Sequence, residues 1–423
     1  MKNLPVAILA GGAGARLGLA DIPKPMAEVA GKPLLQRQIE LARRHGLRDI
    51  ILLTGHLSEV IENHFGDGSG FGVSVEYFRE DVPLGTAGAF AGLRERLGDS
   101  RFLVLYGDVA MDFDMNAFID FDKQHADNLG TLIVHPNDHP HDSDLVEAGA
   151  DCRVLAFHKK PHPENVWRRN LSNAAVYCLS PEILAFIEPG RSQDWAHDIF
   201  PKALAAGKRL HAYNTSEYIK DMGTPERYAA VRRDWEAGVP EQRGRRSRPA
   251  VFLDRDGIIN YDVGNLSDID KFVMIPGAAE AVRRINKAGR LAVLVTNQPV
   301  VAKGWLDEKG LDRIHAKLET LLGREGAYLD RIYYCPHHPE QGFEGERAEL
   351  KFHCDCRKPR PGMLLRAQRD LNIDMPRSFL FGDRDVDIMA ADAAGVGKSV
   401  LLEANRPQAL LAAVSNTLAE GEK

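Results

Sequence analysis

Two short apolar runs, far apart in the chain, each stop abruptly at a turn with its own chemistry, and this pair of features limits the fold more than any other. Leu4-Pro-Val-Ala-Ile-Leu-Ala10 stops at Gly11 and Gly12, and Ala250-Val-Phe-Leu253 stops at Asp254. Short apolar runs bounded by turn residues suit strands buried on both faces, as in parallel sheets covered by helices. Each run is followed by an amphipathic stretch and then a second apolar one: Leu34 to His45 then Asp49 to Thr54, and Ala278 to Lys287 then Leu291 to Thr296. This alternation predicts two α/β units, each a Rossmann-like three-layer domain with a mostly parallel sheet. A chain of 423 residues has room for two or three such cores. Glu236 to Pro249 carries Pro240, Gly244 and the arginines Arg243, Arg245, Arg246 and Arg248, and reads as a solvated linker. The expected division is 1–238 and 249–423 with 239–248 between them, and the end from about Ala413 reads as a frayed tail.

Charge and cysteine usage narrow the function. A formal charge of −6 argues against a nucleic-acid partner, because neutralising phosphates needs a basic surface. No apolar run reaches the roughly 18 residues of a membrane span, and the first residues enter a glycine-rich turn, not a cleavable signal, so a cytoplasmic protein without a membrane partner is expected. Five cysteines do not make a secreted disulfide framework. Three of them, Cys335, Cys354 and Cys356, crowd together with histidines in Cys335-Pro-His-His338 and His353-Cys-Asp-Cys356. Three thiolates and an imidazole suffice for a closed tetrahedral zinc site, with His337 as the expected fourth ligand and His338 and His353 as spares. Unliganded buried cysteines are the competing explanation.

In the first half, Leu9-Ala-Gly-Gly-Ala-Gly-Ala-Arg-Leu17 precedes Pro23-Lys-Pro-Met26. Glycines at 11, 12 and 14 let backbone N–H groups approach phosphate oxygens, so Leu9, Ala10, Gly11, Gly12 and Gly14 are the expected nucleotide-binding residues of this turn. Arg16 and Lys24 can neutralise a triphosphate and its leaving pyrophosphate. A glycine turn alone also occurs in dinucleotide-binding folds, whereas the joint pattern is more specific. It resembles the sugar-1-phosphate nucleotidyltransferases, of glycosyltransferase-A-like fold, from about residue 4 to 235. The resemblance continues in Leu84-Gly-Thr-Ala-Gly-Ala89, Tyr106-Gly-Asp-Val109, Lys160-Pro161, Asn173 and Asp221-Met-Gly-Thr-Pro-Glu-Arg-Tyr228. It implies Mg²⁺ on Asp108 and Asp221, and nucleotide contacts from Gly85, Thr86 and Gly88. It places Lys160 on the sugar phosphate and Asn173 on the sugar hydroxyls. An isolated Asp after a strand is more often a cap or a turn residue, but the combination of motifs reverses those odds.

In the second half, Phe252-Leu-Asp-Arg-Asp-Gly-Ile-Ile-Asn260 sets two carboxylates two residues apart at a strand end. One can attack phosphorus while the other moves protons at the leaving oxygen. Thr296 ends the next apolar strand, Lys358 follows Cys356-Arg357, and Gly382-Asp-Arg-Asp-Val-Asp387 follows another apolar run. These elements, in this order, resemble the haloacid-dehalogenase superfamily of phosphatases over about 249 to 402. The resemblance implies Asp254 as nucleophile, Asp256 as general acid/base, and Thr296 and Lys358 as stabilisers of the phosphoryl group. It implies Mg²⁺ on Asp254, Asp256 and Asp383, with Asp387 orienting Lys358 or a metal-bound water. The gaps between motifs leave no room for a large cap. Asp-Arg-Asp-Gly, Thr-Asn-Gln, the cysteine loop and Arg-Lys-Pro are similar to the D-glycero-D-manno-heptose-1,7-bisphosphate phosphatases and, more distantly, to histidinol phosphatases. That similarity implies substrate contacts from Asn297, Gln298 and Arg357.

The two halves make chemical sense as consecutive steps on small-molecule substrates: removal of the 7-phosphate from a heptose bisphosphate, then coupling of the heptose 1-phosphate to a nucleotide. A resemblance of the first half to heptose-1-phosphate guanylyltransferases implies GTP and the α-anomer. A mannose-type transferase fused to a histidinol-phosphate-like phosphatase, or a non-catalytic first half, are the alternatives. Self-association into a homo-oligomer is compatible with all of them.

Overall fold

A computed structural model describes residues 4–12, 22–125, 127–244 and 247–420. The chain forms two compact units. One contains Met1–His135, Val146–Lys159 and Asn173–Arg245; the other contains Pro136–Leu145, Lys160–Ser172 and Arg246–Lys423. Two stretches of the first half therefore fold with the second, which a single cut in the sequence does not anticipate. Within that second unit the reason is local. Arg169 ion-pairs with Asp312 (2.5 Å) and Glu319 (2.6 Å), the Asn170 N–H donates to Glu319 (3.0 Å), and the Thr320 hydroxyl donates to the Arg168 carbonyl (3.0 Å).

The first unit is built on a nine-stranded mixed sheet. Its strands are β1 (Val6–Leu9), β2 (Asp49–Thr54), β3 (Ser74–Arg79), β4 (Phe102–Tyr106), β5 (Gly130–His135), β6 (Leu145–Ala148), β7 (Val154–His158), β8 (Ser172–Leu179) and β9 (Leu210–Asn214). The main path runs β7-β6-β8-β4-β1-β2-β3, with β5 beside β8 and β9 beside β5. β1 is parallel to both neighbours, and β8 runs antiparallel to β4. Val6 and Ile8 of β1, fully buried, share a core with Ile50, Leu52, Leu103 and Leu105 and with Leu35 and Ile39 of helix α1 (Leu34–Arg44). Each such side chain contributes roughly 1.5–3 kcal/mol of burial. Helix α2 (Pro225–Glu236), capped by the Thr224 side chain, closes the unit.

The second unit has a five-stranded, all-parallel sheet of β10 (Ala250–Leu253), β11 (Leu291–Asn297), β12 (Arg331–Cys335), β13 (Phe379–Gly382) and β14 (Lys398–Leu401), in the order β12-β11-β10-β13-β14. Its helices are α3 (Ala278–Lys287), α4 (Glu308–Arg324), α5 (Gly362–Leu371), α6 (Asp385–Ala393) and α7 (Ala409–Glu420). Strand alternation splits β10 between two cores: Val251 and Leu253 pack with α3, α4 and α7, and Ala250 and Phe252 with α5 and α6. This is the expected three-layer arrangement. The frayed tail is corrected: α7 continues to Glu420, because Leu410 and Val414 join the core that includes α3. The solvated linker is also corrected in part. Pro240 is buried, and Arg248 is buried with its backbone paired to Asn372 and Asp374.

Candidate active sites

The first candidate site lies at the C-terminal ends of β1 and β4, the usual place for ligands in a parallel sheet. The glycine turn is tied down by Ala10 N–H to the Leu53 carbonyl (2.8 Å) and Lys24 N–H to the Gly12 carbonyl (3.3 Å). The Gly107 N–H donates to the Leu9 carbonyl (2.9 Å), and a Cβ at Gly107 would come within 2.6 Å of that oxygen. Only glycine lets the two turns lie this close. Among the described residues, nothing lies within 4 Å of a Cβ built on Gly12. Gly14 and Arg16 lie outside the described residues.

Lys24 reaches Asp108 with Nζ 2.5 Å from Oδ2. Asp221 ends a strand, Tyr218–Asp221, that pairs with Val109–Asp112, and the Met222 N–H donates to the Asp108 carbonyl (3.1 Å). The two expected metal-binding carboxylates thus emerge from one end of a two-stranded ribbon. Asp221 accepts from Arg227 (3.0 and 3.1 Å) and from the Gly223 N–H (2.8 Å). Each carboxylate is therefore held beside one cationic side chain.

Gly85 and Gly88 have a packing role beside any nucleotide contact. A Cβ at Gly85, whose φ is +75°, would lie 2.5 Å from the Gln193 carbonyl oxygen, and one at Gly88 would lie 2.6 Å from that of Arg191. The Thr86 hydroxyl donates to Asp194 (2.7 Å) and accepts the Trp195 N–H (3.1 Å). This 191–195 segment carried no sequence signal. Neither did Glu80, whose carboxylate accepts the Leu84 N–H (3.1 Å), borders the Gly11 turn and has its pKa raised by burial. Asn173 donates to the Tyr177 hydroxyl (3.0 Å) and accepts the Ala175 N–H (3.3 Å). Lys160 belongs to the other compact unit, where its ammonium binds the Asp142 carboxylate and carbonyl, both at 2.9 Å.

The second candidate site gathers at the ends of β10, β11 and β13. Lys358 is buried and spends all three ammonium protons: on Asp254 (2.7 Å), on Asp387 (2.6 Å) and on the Val295 carbonyl (2.9 Å). Asp254, Asp383 and Asp387 bring oxygens within 4.8 Å of one another. Three carboxylates against one ammonium leave surplus negative charge. Burial, and repulsion from Asp387 and Asp256, push Asp254 up to about 6 despite Lys358. Burial, with Asp254 and Asp387, pushes Asp383 up to about 7, and its Oδ1 is buried without a hydrogen-bond partner. Hard oxygen donors with uncompensated charge fit a divalent cation. Gly257, with φ +81°, lets the loop pass Asp383, whose Oδ2 would stand 2.4 Å from a Cβ there.

Asp256 stands outside that carboxylate group. Burial raises its pKa, but Arg255 (3.0 Å to both oxygens), Asn260 (2.8 Å) and Gln298 (2.9 Å) outweigh this and hold it below the usual carboxylate range. Gln298, expected on substrate, is 2% exposed, and its amide is spent inside the protein. It accepts from Arg255 (2.9 Å) and donates to Asp256 and to the Thr296 hydroxyl (2.8 Å). Asn297 exchanges two hydrogen bonds of 3.1 Å with the Lys358 backbone, which fastens the β11 end to the lysine loop. Both amides serve as positioning groups here. Arg357 donates to the His337 carbonyl (3.3 Å).

The cysteine loop closes as expected. Cys335, His337, Cys354 and Cys356 bring one donor atom each within 4.8 Å of the others. The sulfurs are 3.2–3.5 Å apart, and His337 Nδ1 lies 3.2 Å from Cys356 and 3.6 Å from Cys335. Donors at these separations can share one tetrahedral ion with metal–sulfur bonds of about 2.3 Å. Hydrogen bonding from Cys335 pushes the Cys356 thiol down to about 5, in the direction that favours metal binding.

Among the described residues no helix is long and apolar enough to cross a membrane. The nucleotidyl transferase family model matches residues 6–238, and a HAD-hydrolase-like model matches residues 355–415. The D-glycero-beta-D-manno-heptose-1,7-bisphosphate 7-phosphatase of Photorhabdus laumondii is 48% identical over 159 residues, 38% of this chain and 82% of that protein. The protein of the same name from Escherichia coli K12 is 44% identical over 162 residues, 38% of this chain and 83% of its own length. HddC from Yersinia pseudotuberculosis is 27% identical, with a TM-score of 0.48 over 55% of this chain and all of that one.

Proposed function

We propose that this chain, which belongs to the nucleotidyl transferase family and also to the family of the D-glycero-beta-D-manno-heptose-1,7-bisphosphate 7-phosphatases, performs two consecutive steps of nucleotide-activated heptose synthesis. The second unit removes the 7-phosphate of a heptose 1,7-bisphosphate, and the first joins the resulting heptose 1-phosphate to a nucleotide. The observation that carries the phosphatase assignment is the buried Lys358 ammonium between Asp254, directly after β10, and Asp387, in the first turn of α6.

In this account an Asp254 oxygen attacks the 7-phosphorus, the bond from phosphorus to the sugar oxygen breaks, and Asp256 delivers a proton to that oxygen. Asp256 is ionised at rest, so this proton arrives with the substrate, since a phosphate monoester carries one with a pKa near 6. Water then attacks the aspartyl phosphate; Asp256 takes its proton, and inorganic phosphate leaves. As Asp254 attacks, Lys358 exchanges its contact with that carboxylate for a phosphoryl oxygen and Thr296 holds another, while Gln298 and Asn297 hold Asp256 and the Lys358 backbone. Asp254, Asp383 and Asp387 would hold Mg²⁺, which supplies charge neutralisation at the phosphoryl group. Cys335, His337, Cys354 and Cys356 would hold Zn²⁺, which fixes the loop leading to Arg357.

In the first unit a phosphate oxygen of the heptose 1-phosphate attacks the α-phosphorus of the nucleoside triphosphate, and pyrophosphate leaves. Lys24 and Arg16 neutralise the phosphates, Asn173 binds the sugar hydroxyls, and Asp108 and Asp221 would hold Mg²⁺. GTP is the donor that the resemblance to guanylyltransferases supports. That resemblance goes with the α-anomer, whereas the phosphatase relatives are named for the β-anomer. A phosphate-release assay with both heptose bisphosphate anomers and with histidinol phosphate tests the assignment. One of the bisphosphates is expected to be the best substrate, and a preference for histidinol phosphate would refute it.

A further inference from the structure

Two lysines approach the same aromatic ring beside the cysteine loop, and only one of them has a counter-ion. Lys351 lies 4.4 Å from the Phe343 ring centre, ion-pairs with Glu346 (3.1 Å) and donates to the Glu340 carbonyl (2.8 Å). Lys303 lies 4.7 Å from the Phe343 ring and 4.8 Å from that of Trp305, and is 9% exposed. Its one hydrogen-bond acceptor is the Asn265 side-chain oxygen at 3.4 Å, and among the described residues no carboxylate ion-pairs with it. Burial, then the charges of Lys351 and Arg357, push its pKa down, against a smaller opposing effect of Glu340. An ammonium buried without a counter-ion is costly unless a ligand supplies one.

The cage around Lys303 is fixed by backbone. Gly304 has φ +72°, and a Cβ there would stand 1.8 Å from the Gly345 carbonyl oxygen, so only glycine lets the 343–347 loop close on this turn. The Arg347 N–H donates to the Ala302 carbonyl (3.0 Å) across the same contact. Trp305 remains 46% exposed, a flat apolar face next to the cation and suited to a sugar ring. Arg357, the other cation acting on Lys303, directly precedes Lys358, which touches Asp254. A second phosphate on the substrate would find its counter-charge here while the first is at Asp254.

We propose that Lys303 binds the phosphate that is left in place, and so sets the preference for a sugar bisphosphate over a monophosphate. This rests on the phosphatase assignment above. The test uses the full chain with heptose 1,7-bisphosphate and heptose 7-phosphate as paired substrates. Lys303→Met keeps the packing against Trp305 and Phe343 but loses the charge, and Lys303→Gln replaces it if the Met variant does not fold. Loss of one charge-assisted contact raises KM for the bisphosphate on the order of 10- to 100-fold and lowers its advantage over the monophosphate by the same factor. Lys303→Arg restores most of that advantage. Equal losses on both substrates, or unchanged selectivity, would overturn the assignment of Lys303. Wild-type turnover of the monophosphate but not of the bisphosphate would instead overturn the functional assignment beneath it.

Discussion

The Lys358 ammonium lies 2.7 Å from the Asp254 carboxylate, with neither group exposed enough for water to screen the pair. Removing a buried cation leaves its partners uncompensated, at a cost of about 3–5 kcal/mol. Lys358→Met is therefore expected to lower the melting temperature near pH 8 and to slow phosphate release by roughly two to three orders of magnitude. Asp254→Asn should abolish phosphate release and spare nucleotidyl transfer to supplied heptose 1-phosphate. Joint loss of both activities would contradict independent sites.

Asp254 and Asp383 give the Mg²⁺-free protein an unusual pH dependence. Both carboxyls are raised in the folded state, to about 6 and about 7, above ordinary carboxylates near 4. Between these values the folded state binds more protons than the unfolded one, so this contribution to stability falls as pH rises from about 4 through about 7. Asp383→Asn should flatten the fall. Added Mg²⁺ should raise the melting temperature more at pH 8 than at pH 5. Melting curves of both proteins in Mg²⁺-free buffer check this, and identical pH slopes would refute it.

The loop holding Cys335, His337, Cys354 and Cys356 is expected to carry one zinc per chain, measurable by elemental analysis. Cys356→Ser should lower zinc content and cut phosphate release, because Arg357 and Lys358 follow directly on the ligand. Full phosphatase activity in a zinc-depleted protein would show that the ion does not shape this site.

Asp108→Asn and Lys24→Ala are expected to reduce nucleotidyl transfer by at least about 100-fold while leaving phosphate release within about twofold of wild type. The 2.5 Å contact between the two side chains predicts that the double variant loses less than the sum of the single losses. A double-variant series in a pyrophosphate-release assay measures this.

The elements of both sheets and their flanking helices were legible because apolar runs and turn residues mark them directly: strands Ala250–Leu253 and Asp49–Thr54 and helix Ala278–Lys287 stand where the patterns put them. The Cys/His cluster was legible for a similar reason, since the residue types allow few other arrangements. Long-range use of side chains was not. Gln298 and Asn297 have amides that could serve substrate, and only the fold reveals that Asp256, Thr296 and the Lys358 backbone consume them. The 191–195 segment that packs on Gly85 and Gly88 is distant in sequence and has no motif. Polar pairs such as Arg169 with Glu319 draw parts of the first half into the second unit, a preference no composition shift records.

Product identification by mass spectrometry, from heptose 1,7-bisphosphate with all four nucleoside triphosphates and Mg²⁺, tests the two-step account most directly. The expected result is inorganic phosphate, pyrophosphate and one nucleotide-linked heptose, carrying guanosine. Release of phosphate with no nucleotide sugar from any of the four triphosphates would contradict it.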